Sequence, residues 1–496
     1  VTASRPGISA PRLCNGTLPR LPASMIRPAY DRTAAAIGIV HFGPGAFHRA
    51  HQAVYVDDLL AHGGDWAISG VSLQSSGVRT ALAPQDGLYT LAILNETPSW
   101  RVIGSLKELL AARDDPEPVL RRLADPATRI VTMTVTEKGY CLTAGGDLDA
   151  AHRDIRRDLA APERPVSLIG YLVEGLRRRR AAGLPPVTLV SCDNLVDNGT
   201  RLRQAVIQFA GEHDPALARW IGEHATFPNT MIDSITPATD DALRARAAAA
   251  TGLTDAWPIQ REAFSQWVVE DRFCNGRPDF AAVGVTLTGD VAAFDRAKLR
   301  LLNGPHSSLA YLGLLAGHET VADAMADPVF ARFLNRLMRE DILPTVTPPA
   351  GFDLNAYIDA ILHRFANPGI RHRLAQIAWD GSQKLPFRLL GTVADRLKDG
   401  ADIHRLCLPV AGWLHVLRGT AASGATLVDP LADRLLSIAR RCGAGVDADV
   451  AGFLAVDGIF PPSLAGNATF RRSLAHAYAV LGRAGPTAIR QALATA

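Results

Sequence analysis

An α/β half followed by an all-helical half is the fold class this sequence predicts, and three observations predict it. Short apolar runs alternate with helical periods from Ile37 to about residue 290. A glycine turn joins the first run to the first helical period. Beyond residue 290 the strand signals stop and helical periods follow one another, at 306–316, 328–340, 354–366, 385–399, 405–417, 428–442 and 467–483. At 496 residues the chain is too long for one core, so two domains are expected, 1–290 and 291–496.

Bulk properties narrow the function classes. A chain that is 48% hydrophobic and 20% charged is globular, and a net charge of +3 gives nucleic acid no field to follow. The one dense basic run, Arg177–Arg180, closes an apolar-periodic segment and reads as a solvated helix C-terminus. The six cysteines are scattered, with no CxxC and no Cys-His pair at ligand spacing, which argues for reduced thiols and against a metal site. No apolar stretch is long enough for a bilayer and no signal-peptide core is seen, so a cytoplasmic protein without a membrane partner is expected.

Residues 1–33, rich in Pro, Ser and Arg, read as a surface arm. Ile37–Phe42 then has the make-up of a buried strand, Gly43-Pro44-Gly45 of a turn, and Phe47–Leu60 of a helix. Strand, glycine turn and helix open a dinucleotide-binding βαβ unit, in which glycine lets the backbone approach a pyrophosphate at a helix N-terminus. The fingerprint is incomplete, because His48 stands where GxGxxG has its third glycine. Trp66–Leu73 is the second strand. Gln74-Ser75-Ser76-Gly77 follows it, without the carboxylate that would hold an adenosine ribose and with Arg79 nearby, so NAD and NADP both fit the pattern.

Leu88–Leu94 and Trp100–Ser105 flank a polar turn and predict a hairpin. Ile130–Thr136 is a β-branched run that delivers Glu137 to a strand's C-terminal edge, where ligands bind in open α/β sheets. Val187–Cys192 is another buried strand, ending in Asp193-Asn194. Asn194 has two readings, a carboxamide for a substrate oxygen or a turn residue capping the helix that starts near Gly199. Asp233 lies in the apolar, proline-bounded run Phe227–Pro237, where a carboxylate needs a partner.

The stretch Asp295–Leu312 places Lys298, Asn303 and His306 among leucines. On one helix they would fan across roughly 140° of one side. Pro305 predicts a break, with one helix ending near Asn303 and another beginning near Pro305, or a kink.

Taken together, HFGPGAFHRAHQAVYVDDLL, TVTEKGYC, SCDNLVDNG, FPNTMIDSITP, QWVVEDRFCNGRPDF, KLRLLNGPHSSLAYLG and RHRLAQIAWDGSQKLPFRLL resemble the polyol-specific long-chain dehydrogenase/reductase family. The resemblance runs from residue 41 to about 390, and the Lys-x4-Asn-x2-His spacing is its most specific element. It implies a Rossmann-type N-terminal domain, an all-α C-terminal domain and hydride transfer with NAD (or NADP) and no metal. It also implies Lys298 as general base, Asn194 and Asn303 as donors to the developing oxyanion, and His306 as the group orienting the reacting hydroxyl. Asp233 and Lys384 would contact the rest of the substrate. Gly43, Gly45, Phe47, His48, Arg49 and Glu137 are the expected cofactor contacts.

Physical chemistry asks for the same roles. A lysine of free pKa about 10.4 is a poor base at neutral pH, and burial disfavours its ammonium form. Carboxamide donors aimed at an alkoxide stabilise its charge. Two positions depart from the family pattern, Pro305 where most relatives carry serine and Gln376 where mannitol-oxidising members tend to carry arginine. The HRxxQIAxDGSQKLPxR wording is similar to the branch that interconverts D-mannonate and D-fructuronate, which is the expected reaction. Oxidation of mannitol or a related polyol is the alternative. A uronate needs a cation, and Arg371, Arg373, Lys384 and Arg388 crowd this stretch, with Arg373 and Lys384 the expected contacts. They have a second reading as an ordinary basic helix face. The expected partner is thus a small sugar acid or polyol, with monomer and homo-oligomer both open.

Overall fold

The computed structural model describes residues 10–496 other than 96, 144 and 484. The chain divides into two compact units after Val291, the second being Ala292–Ala496.

The first unit is built on a five-stranded sheet of β1 (Ile37–Phe42), β2 (Ala67–Ser72), β5 (Leu106–Ala111), β6 (Ile130–Met133) and β7 (Thr188–Ser191). Its order is β5-β2-β1-β6-β7 and every neighbouring pair is parallel. The inner strands β1, β6 and β7 are buried and largely apolar, as covered parallel strands are, while the edge strand β5 carries Lys107 and Glu108. β3 (Tyr89–Leu94) and β4 (Ser99–Ile103) form the antiparallel hairpin, and β9 (Ile259–Glu262) joins it in parallel. β8 (Thr230–Asp233), β10 (Gln266–Glu270) and β11 (Thr286–Thr288) make a third sheet.

Three local expectations are corrected here. The first helix is broken: α1 (Ala46–Ala50) and α2 (Gln52–Ala61) meet at His51, whose backbone lies at φ −122°, ψ −91°. The Tyr89 hydroxyl donates to the Arg49 carbonyl at 2.6 Å, taking that acceptor from the helical ladder. The basic run is only partly solvated. Arg177 and Arg178 pair with Glu174, but Arg179 is fully buried and donates to the carbonyls of Leu123, Asp125 and Pro185. The arm is not a surface appendage from residue 10 onward, since Leu13, Leu21 and Met25 are buried in one cluster with Leu88, Val102 and Leu253. Its first nine residues lie outside the described ones.

The second unit is helical, and among the described residues no strand follows β11. Its longest helix, His404–Ser423, packs apolar residues from Leu406 to Leu417 against Ala468–Leu481 and Gly304–Leu315. Proline opens helices of this unit at the first turn, where the missing N–H goes unneeded, as in Pro328–Arg336, Pro462–Ala465 and Pro486–Thr495. No described helix is long and apolar enough to cross a membrane.

Candidate active site

In the first unit a cavity of about 500 Å³ opens at the C-terminal ends of β1, β2 and β6. Gly43, Pro44 and Gly45 line it after β1, Ser72 to Ser75 after β2, and Thr134 to Thr136 after β6. The strand order reverses between β1 and β6, which is where an open α/β sheet offers a crevice.

The two glycines serve different ends. Gly43 has φ +85°, and a Cβ there would lie 2.2 Å from the Thr134 carbonyl oxygen, so only glycine fits. At Gly45 an added Cβ would meet nothing closer than 3.9 Å. The protein therefore does not require glycine at 45, and the open space in front of it suits a ligand's phosphates. The residues present fit a dinucleotide.

His48 and Arg49 do not line this cavity, which corrects the expectation that they contact the cofactor. Both are fully buried. The His48 ring stacks on His41 of β1 at 3.4 Å, a flat contact that brings the helix close to the strand where a third glycine would do so. His41 itself hydrogen-bonds to Thr132 at 2.7 Å and to the Gly43 carbonyl at 3.1 Å, so this pair supports the turn from behind. Burial pushes the His41 pKa down to about 3 and holds His48 well below the ordinary histidine value, so both are neutral. Arg49 donates to the Trp257 carbonyl at 2.8 Å and lies over the rings of Trp257 and Tyr89. Phe47 is half-buried and stacks on His51. Glu137 is exposed between two residues that line the cavity, Thr136 and Lys138.

A residue that the sequence reading passed over shapes this wall. Asp193 accepts from the backbone N–H of Val135 (3.0 Å) and Thr136 (2.9 Å) and from the Tyr140 hydroxyl (2.7 Å). Thr136 sits at φ +67°, an uncommon state for a β-branched residue, and Asp193 holds it there. Burial raises the Asp193 pKa while its three donors lower it. The signal was a carboxylate at the end of an apolar strand. Asn194, next to it, is exposed in a bend. The N-cap position of the helix Asn198–Gly211 is Asp197, so Asn194 is not its cap. Asp233 ends β8 and is buried, opposite Gln266 of β10.

In the second unit Lys298 and Asn303 bound a π-helical turn, Lys298–Asn303, between the α-helices Val291–Ala297 and Gly304–Leu315. The predicted break at Pro305 is thus not a break: Ala297, Asn303 and Gly304 all keep right-handed helical angles. The i→i+5 register widens the turn and accommodates a proline that offers no N–H for an i→i+4 bond. It also brings residue 303 more nearly above residue 298 than an α-helix would. Lys298 and Asn303 are each only 8% exposed. Arg300 secures the far side of the turn, donating to the Thr345 carbonyl (2.8 Å) and to Asp395 (2.5 Å).

One helical turn on, the His306 ring stacks on Phe365 and meets His372 edge-on at 4.8 Å. Its Nε2 is sealed from solvent without a hydrogen-bond partner among the described residues. Burial, then the neighbouring His372, Arg388, Arg364 and Lys384, hold its pKa well below the ordinary value, so the imidazole is neutral. Lys384 is half-buried, and its Nζ donates to the carbonyls of Trp379 (2.6 Å) and Ile377 (3.4 Å). Arg373 is not drawn into this cluster: it is 69% exposed and 3.8 Å from Glu319.

The comparisons with known proteins agree with this architecture. Residues 37–282 match the model of the mannitol dehydrogenase Rossmann domain, and 290–481 that of the mannitol dehydrogenase C-terminal domain. The chain belongs to the mannitol dehydrogenase family. It is 44% identical over 468 residues to D-mannonate oxidoreductase of Escherichia coli K12, covering 92% of this chain and 96% of that one. It is 39% identical to mannitol 2-dehydrogenase of Aspergillus fumigatus, covering 92% of this chain and 93% of the relative. Among solved structures, Pseudomonas fluorescens mannitol 2-dehydrogenase in ternary complex with NAD and D-mannitol matches with a TM-score of 0.82 and 38% identity, over 97% of this chain and 99% of that one. The present chain is accordingly an oxidoreductase acting on a secondary alcohol of a polyol or sugar acid.

Proposed function

We propose that this enzyme interconverts D-mannonate and D-fructuronate, with NAD as its cofactor and NADP as a second. The single observation that carries the chemistry is the π turn that buries Lys298 and Asn303 together ahead of a neutral His306. The choice of a sugar acid is supported by the 44% identity to D-mannonate oxidoreductase across 92% of the chain.

In this reading residues 1–290 bind the dinucleotide and contribute Asn194 and Asp233, while 291–496 supply the remaining substrate and catalytic groups. Gly43 and Gly45 hold the pyrophosphate, with Ser72 to Ser75 on the ribose side. Arg79, next to Val78 of the cavity wall, pairs with Asp114 at 3.4 Å, which supports NAD over a 2′-phosphate. A bound nicotinamide would supply the acceptor for the hydride of the carbinol carbon. The Nζ of Lys298, in its neutral amine form, takes the hydroxyl proton. The carboxamide N–H groups of Asn303 and Asn194 donate to the oxygen as it becomes an alkoxide, a role worth a few kcal/mol for each such donor. Neutral His306 donates one ring N–H to the same oxygen and orients it. Asp233 and Lys384 bind hydroxyls farther along the chain. No metal is assigned a part.

A second reading, oxidation of mannitol or a related polyol, is favoured by the 39% identity to mannitol 2-dehydrogenase. Oxidation of NADH followed by absorbance, with D-fructuronate and D-fructose as alternative acceptors, separates the two. Turnover of fructuronate at a kcat/KM at least tenfold above that of fructose is expected. The reverse order establishes the polyol reading instead.

A further inference from the structure

A carboxylate removed from water needs a cation with N–H groups to offer, and Arg meets that need with a planar fork. Four cations lie between residues 371 and 388, and the structure treats them differently. Arg371 and Arg373 are 76% and 69% exposed and both turn to Glu319, at 3.5 and 3.8 Å. Lys384 spends two donors on backbone carbonyls. Arg388 is half-buried, and its Nη1 donates to a neutral partner, the Ser307 hydroxyl, at 3.1 Å. Among the described residues no carboxylate lies within ion-pair distance of it.

The surroundings of Arg388 are those of the proposed reaction centre. It belongs to a second π turn, Pro386–Leu390. The Arg388 carbonyl oxygen would lie 2.7 Å from a Cβ added at Gly304, so this turn rests directly on the start of the helix that carries His306. Ser307, the acceptor of its hydrogen bond, follows His306. Tyr311, one turn further on the same helix, is fully buried with a hydroxyl that has no partner among the described residues. A guanidinium, a sealed phenol and a sealed imidazole nitrogen thus stand on neighbouring turns.

We propose that Arg388 receives the carboxylate of the sugar-acid substrate and so selects uronates over neutral sugars. The inference rests on the sugar-acid reading above and names the residue that enforces it. The guanidinium fork binds the two carboxylate oxygens, while the hydroxyl or carbonyl that reacts lies toward His306. A charge-assisted bond of this kind makes the same contribution in ground and transition state, so it belongs in KM.

The test uses the full-length enzyme, with kcat and KM determined separately for D-fructuronate and D-fructose. Arg388→Gln is expected to raise KM for fructuronate roughly 10- to 100-fold, with kcat within a few-fold and fructose kinetics within threefold. Arg388→Lys, which keeps the charge and loses the fork, is expected to fall between, and it serves as the second variant if the first does not fold. Thermal unfolding reports folding in each. An equal rise in KM for both acceptors, no change for either, or the selective loss appearing in Arg373→Gln instead overturns the assignment. A wild-type enzyme that does not turn over fructuronate overturns the sugar-acid reading itself, whereas one that prefers fructuronate while Arg388→Gln is indifferent sinks the anchor alone.

Discussion

The glycine turn of the first unit and the π turn of the second each carry a cluster of polar and basic side chains, and they use them in opposite ways. After Gly43 and Gly45, His48 and Arg49 turn inward: one stacks on His41, the other closes over Trp257 and Tyr89. There the backbone faces the cavity and the side chains brace it. In Lys298–Asn303 the backbone is re-registered and the side chains are the proposed reagents. A buried cation is therefore not a functional sign by itself. What distinguishes Arg49 from Lys298 is that Arg49 answers a backbone carbonyl behind a strand–helix contact, while Lys298 lies on a helical irregularity of the kind that recurs at functional sites.

The contrast is broken most directly by removing one basic side chain from each turn. Lys298→Ala is expected to lower kcat for alcohol oxidation about 10³-fold, the scale of a general base, with NADH affinity unchanged. Arg49→Leu is expected to do the reverse, costing about 1–3 kcal/mol of stability with kcat within a few-fold. Steady-state kinetics and thermal unfolding on both variants decide it, and wild-type kcat in Lys298→Ala would sink the assignment.

A second pair sharpens the reading of the glycine turn. Gly43→Ala places a methyl against the Thr134 carbonyl in a left-handed backbone and should destabilise the first unit by at least about 1–2 kcal/mol. Gly45→Ala meets open space, so it should leave Tm alone and weaken NADH binding about tenfold. Equal Tm losses in the two variants would show that Gly45 is a folding residue.

A pH titration of stability tests the bracing histidines. The folded-state pKa of His41 lies near 3 and that of His48 well below 6.5. Between the folded and unfolded values the unfolded chain binds more protons, so stability is fully present above about pH 6.5 and falls as pH drops below it. His41 contributes a loss of up to about 2 kcal/mol by pH 5, and His48 adds a loss of the same sign. Double substitution of His41 and His48 by Gln should flatten the pH dependence of Tm over this window, and an unchanged slope would contradict the assignment.

The smallest effect is expected at Pro305. Serine also suits the first turn of a helix, so Pro305→Ser should change stability by less than about 1 kcal/mol and kcat by less than threefold. A tenfold fall in kcat would mean that the proline itself shapes the π turn.

Much of this was legible along the chain. Ile37–Phe42, Ile130–Met133 and Thr188–Ser191 announce themselves as strands because parallel strands covered on both faces must be apolar throughout. Lys298, Asn303 and His306 announce themselves as polar groups on an apolar helix. The fold class and the glycine turn follow from composition and periodicity, which are local properties, and the candidate reagents from the resemblance to a known family. Tertiary structure decided the rest. Whether His48 and Arg49 face a ligand or the core depends on Tyr89, Trp257 and His41, residues of other elements. Whether Pro305 breaks a helix depends on how its neighbours re-register their hydrogen bonds. Arg373 and Arg388, alike in sequence, part company because one meets Glu319 in water and the other Ser307 inside the fold. The chain itself determines which groups are present and on what kind of element. Which of them are desolvated, and beside whom, is settled only when distant segments pack, because charge and hydrogen bonding act through space and not along the chain.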